Sequence, residues 1–369
     1  MSLSSCLWRT LLILFSVVCG IAGRAAGADA VTSLQHMRAA LLVASDVTDE
    51  RIEQLKAHGT TAVVVILQSD SKSSHLQERA AAARVQQSNV ALYYWIEVAR
   101  CPELADAHPE WMASLQGHSQ WRRFFPDVPV PDDDHVVKTY PWVTILSAET
   151  YVAQLQRVRQ VLADKPPPKG VFLNDLQGAP SACGCGNSLC RWTSDYGKRR
   201  TTTPLNNDAA ARFVQAVQES VPNCPVLPVW TTECEEHDGA QDGLCAGVGC
   251  FKGICWKAYT NQLMPLAKIC PQLAVLVPYR EFQRDLPIYG ERAGWIQHAV
   301  ASFQSMPRRQ GEDSIAPSRL ITVLQGWDVD QADIAAQIRV ATNSGCAGYI
   351  VAYSKIEQKW EPRIVKWRD

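Results

Sequence analysis

Eight short runs of apolar and β-branched residues recur along the chain, at 38–45, 61–68, 90–99, 170–177, 224–233, 272–282, 319–328 and 347–356. This pattern constrains the fold more than any other feature. Several runs, such as TAVVVILQ and QLAVLVPYREF, are nearly continuous in apolar character, as parallel strands covered on both faces must be. Most are preceded by a segment with helical spacing. TDERIEQLKAHG pairs a capping Thr48 with a terminating Gly59. Eight alternations of strand and helix predict an α/β fold, a (β/α)8 TIM barrel, with a doubly wound sheet as the rival. A chain of 369 residues is long enough for one elaborated barrel.

Loop lengths point the same way. Helix-to-strand connections are short throughout, whereas those after the third, fourth and fifth strands are long. In a barrel, all strand-to-helix loops lie on the C-terminal face, where barrel enzymes hold their sites. The largest, at 100–146, reads as an insertion or small lid. No repeat or linker interrupts 29–369, so a single barrel domain is expected there.

Residues 1–28 read as a secretory signal peptide. Arg9 precedes the apolar LLILFSVVCGIAG, and Ala26-Gly27-Ala28 suits cleavage before Asp29. An uncleaved anchor is the alternative, but the apolar run is short for a span, and no other run is long enough. The expected location is exported: periplasmic, cell-surface or secreted. A formal net charge of −1 carries no signature of nucleic-acid binding.

Export changes how the cysteines read. Of 13, Cys6 and Cys19 leave with the signal. Eight of the rest fall in the three long loops: Cys101, then Cys183, Cys185 and Cys190, then Cys234, Cys245, Cys250 and Cys255. Cys224, Cys270 and Cys346 lie just before strands, at the opposite face. In an oxidising compartment, disulfides fastening the loops are expected. Cys224 and Cys270 precede adjacent strands and are expected to pair, leaving Cys346 as the odd thiol. The spacing Cys183-x-Cys185-x4-Cys190 also resembles half of a zinc site, with Cys101, Cys234 or His237 as a fourth ligand. The disulfide reading is preferred, and no metal or cofactor is assigned.

Barrel enzymes take their reacting groups from strand ends. Here these are Glu97, Asp175, Glu233, Glu281 and Asp328, interleaved with Trp95, Trp230, Tyr279 and Trp327. The eighth strand ends in Tyr353, Ser354 and Lys355. Acids set among aromatic faces suit an oligo- or polysaccharide: rings pack on C–H faces, and carboxylates bond hydroxyls. Glycosidic cleavage needs two carboxyls, about 5–5.5 Å apart when retaining and about 6.5–9.5 Å when inverting. Asn174 and His108 are further candidates for sugar contacts, and Lys355 for an anionic group. Each also has a plain structural reading. Asp328-Val-Asp330 could cap a helix, Glu281 lies between Arg280 and Arg284, and Glu233 belongs to an acidic loop. Asp175 is the strongest candidate, since a turn and no obvious helix follows it.

The segments HPEW (108–111), GVFLND (170–175), LQGWD (324–328) and GYIVAYSKI (348–356) resemble the glycoside-hydrolase-like TIM barrels of exported bacterial proteins, many of them uncharacterised. That resemblance implies a sugar-active barrel. Within it, the alpha-amylase-like pattern of Asp at strand four, Glu at strand five and Asp at strand seven is matched in position by Asp175, Glu233 and Asp328. The cellulase-like pattern is matched less well, because Asp175 and Asp328 stand where it has Glu. The resulting expectation is a retaining glycoside hydrolase with Asp175 as nucleophile, Glu233 as acid/base, Glu281 in reserve and Asp328 assisting. A catalytically inactive carbohydrate-binding barrel and a cell-surface structural protein are the alternatives.

Overall fold

The computed structural model describes residues 34, 36–68, 72–113, 127, 135–138, 140–145, 147–176, 208–231, 260–277, 292–309, 314–354 and 363–366. Eight strands form the inner wall: β1 (Met37–Val43), β2 (Ala62–Leu67), β3 (Ala91–Glu97), β7 (Gly170–Asn174), β8 (Val226–Thr231), β9 (Leu273–Val277), β10 (Leu320–Gln325) and β11 (Gly348–Ala352). They close into one barrel in the order β1-β11-β10-β9-β8-β7-β3-β2, and every pairing is parallel. The expected TIM barrel is therefore the observed fold.

Successive side chains on a strand point to opposite faces, so the barrel sorts its residues by parity. One set, including Leu41, Val64, Tyr93, Trp95, Phe172, Val229, Val323 and Ile350, packs together inside the barrel. Tyr93 and Trp95 meet Phe172 with ring centroids 5.9 and 6.1 Å apart, which plugs the interior. The alternate set, including Leu42, Val65, Ile96, Leu173 and Val275, packs against the helices. Double coverage explains why the strands read as continuous apolar runs. Each buried Val, Leu, Ile or Phe contributes about 1.5–3 kcal/mol.

The surrounding helices are α1 (Asp49–Ala57), α2 (Lys72–Gln87), α4 (Ala148–Leu162), α5 (Ala209–Ser220), α6 (Thr260–Ile269), α7 (Gly294–Arg309) and α8 (Gln331–Asn343). Their starts follow the sequence signals. Thr48, Ser147 and Asp330 each accept a bond from the backbone N–H three residues on, at 3.1, 3.2 and 2.7 Å. Such caps satisfy donors that a helix cannot satisfy itself. Gly348 has no room for a side chain, since a Cβ there would lie 2.6 Å from the Met37 carbonyl oxygen.

The insertion at 100–146 holds α3 (Pro102–Ala107), β4 (Met112–Ala113), β5 (His135–Lys138) and β6 (Tyr140–Val143). β4 pairs with β6, and β5 pairs antiparallel with a strand near the C-terminus, β12 (Arg363–Lys366). Sequence pattern did not reveal that clasp. No helix among the described residues is long and apolar enough to cross a membrane.

The cysteine expectations need correction where they can be examined. Cys101, Cys224, Cys270 and Cys346 are free thiols, so the expected Cys224–Cys270 pair is not formed. Each is tied to a different part of the helix ring. Gln218 of α5 donates to the Cys224 carbonyl, whereas Arg319, ahead of β10, donates to that of Cys270. Both side chains are buried, at 7% and 4% exposure. Cys183, Cys185, Cys190, Cys234, Cys245, Cys250 and Cys255 lie outside the described residues, as does the segment 1–28.

Candidate functional site

Parity and one backbone irregularity build a polar cluster at the ends of β3 and β7. Glu97 shares the inward parity of Tyr93 and Trp95, and Asn174 that of Phe172. Register places Glu97 directly beside Asn174. A regular strand would turn the next residue, Asp175, to the opposite face. Instead Asp175 takes a left-handed conformation, φ 61°. Asp tolerates this region better than most residues, at a cost of about 1 kcal/mol. The alternation breaks there, and Asn174 and Asp175 both reach Glu97.

Every oxygen of Glu97 is engaged. Trp95 Nε1 donates to Oε1 at 2.8 Å, and Asn174 Nδ2 donates to Oε2 at 2.8 Å. Burial works to raise its pKa. The Arg100 guanidinium, a contact with Asp175 and hydrogen bonds from Trp95 and Asn174 outweigh burial and hold the carboxyl below the ordinary range. Two carboxyls can hydrogen-bond to each other only through a proton on one of them. The contact places Asp175 within hydrogen-bond reach of Glu97. Asn174 and Asp175 are 3% and 5% exposed.

The backbone beneath is braced. Arg157 of α4 donates from Nη2 to the carbonyls of Glu97 and Val98, at 2.5 and 3.0 Å. Its Nε donates to Gln154 Oε1 at 3.0 Å, and Gln154 Nε2 donates to the Val143 carbonyl at 2.8 Å. Cys101 lies nearby: its thiol donates to Glu103 at 3.0 Å, and burial pushes its pKa up to about 12.

Other sequence candidates lie elsewhere. Trp95 is 2% exposed, a plug of the interior that donates to Glu97 and has no open face for a sugar. Trp230 has outward parity and is 1% exposed against the helix layer, so its face is covered as well. Tyr353 also packs with the outer layer, and Arg51 of α1 stacks over its ring at 4.6 Å. Trp327 is half-buried and packs on the interior cluster from above. It reaches there because Gly326 runs close to β11, where a Cβ would lie 2.8 Å from the Ala352 carbonyl oxygen. Asp328 is exposed with φ 54°, and Asp330, not Asp328, caps α8. His108 belongs to the insertion, stacked on Trp111 at 3.7 Å. Glu233, Glu281, Tyr279 and Lys355 lie outside the described residues. No group of three or more His, Cys, Asp or Glu suited to a metal occurs among the described residues.

Sequence reasoning passed over Arg100, Arg157 and Gln154. Arg100 had a signal: a basic residue three positions past a strand-end acid, comparable to the arginines flanking Glu281. Arg157 and Gln154 had none, since their partners are backbone carbonyls on another element.

No family model matches the sequence, and no curated protein matches it. Among solved structures, a β-galactosidase from the psychrophilic Marinomonas ef1 matches with TM-score 0.50 and 11% identity, over 85% of this chain and 53% of its own. GH5_18 from Streptomyces cattleya, in complex with GlcNAc, matches with TM-score 0.44 and 12% identity, over 86% of this chain and 70% of its own. An alpha-amylase from Lactobacillus plantarum gives 0.42 and 11%, over 87% and 71%. At such identities the likeness is one of fold: the chain is a TIM barrel.

Proposed function

We propose that this chain is an exported glycoside hydrolase acting on an oligo- or polysaccharide, with Asp175 as a reacting carboxyl. The observation that carries the reading is the hydrogen-bonded pair of Glu97 and Asp175 at the C-terminal ends of β3 and β7, the face on which barrel enzymes work. Export rests on the signal-like segment 1–28.

The pair revises the role expected for Asp175. Asp175 stands within hydrogen-bond reach of a second carboxyl, Glu97, with which it can exchange a proton. That suits the general acid, which protonates the departing glycosidic oxygen as the C–O bond breaks. Glu97, ionised beside it, orients Asp175 and stabilises its surroundings. Glu97 stands within hydrogen-bond reach of Asp175, nearer than the about 5–5.5 Å of a retaining pair. The second carboxyl would come from another strand end: Glu233, Glu281 or Asp328. In a retaining reaction that group takes the sugar, and water then releases it, returning a proton to Asp175.

The test is Asp175→Asn in the secreted protein, assayed on a polysaccharide panel. Turnover of the responsive glycan should fall by on the order of 100- to 10,000-fold. Unchanged turnover would remove Asp175 from the chemistry. The near-complete burial of Asn174 and Asp175 favours a second reading, a barrel that holds a glycan without cleaving it. Glycan binding by calorimetry, with no turnover of any panel member, would select that reading.

A further inference from the structure

We infer that Arg157 and Gln154, on α4, form a positioning device that locks the base of the 100–146 insertion to the end of β3 and so sets the Glu97 carboxylate against Asp175. The inference rests on the reading of the Glu97–Asp175 pair as the reacting centre, and it names the group that keeps the pair in register.

Three separate pieces of chain meet at these two side chains. The first is the exit of β3, whose Glu97 and Val98 carbonyls accept from the Arg157 guanidinium. The second is the return of the insertion, where Val143 N–H donates to the Ala99 carbonyl at 2.8 Å and the Val143 carbonyl accepts from Gln154. The third is α4 itself, on which Gln154 and Arg157 lie one turn apart and bond each other at 3.0 Å. Gln154 is fully buried. Beyond Glu97 the ladder to β7 has one further rung, from Val98 N–H to the Asn174 carbonyl at 3.0 Å. The chain then leaves the barrel for the insertion. At that exit neighbouring strands no longer hold both edges of the backbone, and the guanidinium substitutes for the missing ladder. Its planar fork presents several donors in fixed directions, which the single ammonium of a lysine cannot reproduce.

The charged and titratable groups around the device are Arg100, Glu103, Cys101, Glu97 and Asp175. Arg157 bonds the backbone carbonyl of Glu97, so it acts on the pair through geometry. A misplacement of about 1 Å at a reacting group lowers rates by on the order of 100-fold.

The test reads the pair directly. The indole N–H resonance of Trp95, which donates to Glu97, is assigned with Trp95→Phe and followed against pH in the full-length protein. In the wild type it should titrate with Glu97 in acid. In Arg157→Met the transition should move to higher pH, as the bonds that hold Glu97 ionised loosen. Arg157→Lys, which keeps the charge, should behave like Arg157→Met. Gln154→Leu should give a smaller shift in the same direction. Arg159→Met is the control: Arg159 bonds Ser220 Oγ on α5 at 2.9 Å, and its loss should leave the transition in place. An unmoved transition in folded Arg157→Met overturns the inference, as does full restoration by Arg157→Lys. Should Arg157→Met not fold, Arg157→Lys and Gln154→Leu still decide the matter, and normal titration in both overturns it. Absence of any Glu97-linked transition in the wild type sinks the reading of the pair instead, so the two failures are distinct.

Discussion

Glu97→Gln offers a sharp perturbation because it keeps shape and removes charge. Glu97 accepts two N–H bonds, from Trp95 and Asn174, each at 2.8 Å. With glutamine, one acceptor becomes an NH2 group that faces a donor. The indole of Trp95 cannot reverse its polarity, but the Asn174 amide can turn over, since its Oδ1 has no hydrogen-bond partner among the described residues. Both bonds therefore survive in neutral form. Charge-assisted bonds contribute about 1.5–3 kcal/mol and neutral ones about 1. The loss over two bonds is about 1–4 kcal/mol, and because Glu97 is only partly buried, solvent screening pulls it toward about 1–2. At about 2 °C per kcal/mol for a chain of this size, Tm should fall by roughly 2–4 °C at pH 7.

The pH dependence follows from the direction of the shift. Glu97 is held below its unfolded value of 4.5, so its contribution is present above that value and is lost as pH falls through the folded one. The deficit of Glu97→Gln should shrink between pH 7 and pH 3. Circular-dichroism melts at both pH values measure it. An equal deficit at the two, or none at pH 7, would refute the assigned ionisation.

Three further outcomes are expected. Lys165 and Glu78 form an ion pair at 3.1 Å with side chains only 2% exposed, so Lys165→Met alone should cost about 3–5 kcal/mol, while Lys165→Met with Glu78→Met should recover most of it in denaturant melts. Gly348→Ala drives a Cβ to 2.6 Å from the Met37 carbonyl oxygen and should lower stability by about 1–3 kcal/mol; a wild-type melt would show that β1 and β11 are not so close. Burial pushes the thiols of Cys101, Cys270 and Cys346 up to about 12 and that of Cys224 up to about 11, so all four should resist alkylation at pH 8 until denaturant is added, and rapid labelling of Cys224, or a bond from it to Cys270 in a peptide map, would contradict their placement.

The barrel was readable because its signals are local. Eight apolar runs, capping residues such as Thr48 and Ser147, and short helix-to-strand turns are each encoded within a few neighbouring positions, and double coverage imprints on every strand. The same locality marked Glu97 and Asp175 as strand-end acids. What sequence could not supply was which strand ends meet and in what orientation. Trp95 and Trp230 look alike as strand-end aromatics, yet parity sends one into the barrel and the other to the helix layer. The Cys224–Cys270 pairing failed for a related reason, since adjacency of strands does not bring the preceding turns together when each is tied to a different neighbour. Nor does any local pattern announce the left-handed turn at Asp175, or an arginine sixty residues away bracing the carbonyl of Glu97. Strand identity is a property of short segments. The meeting of Glu97 and Asp175 depends on distances between segments, and those exist only once the barrel has closed.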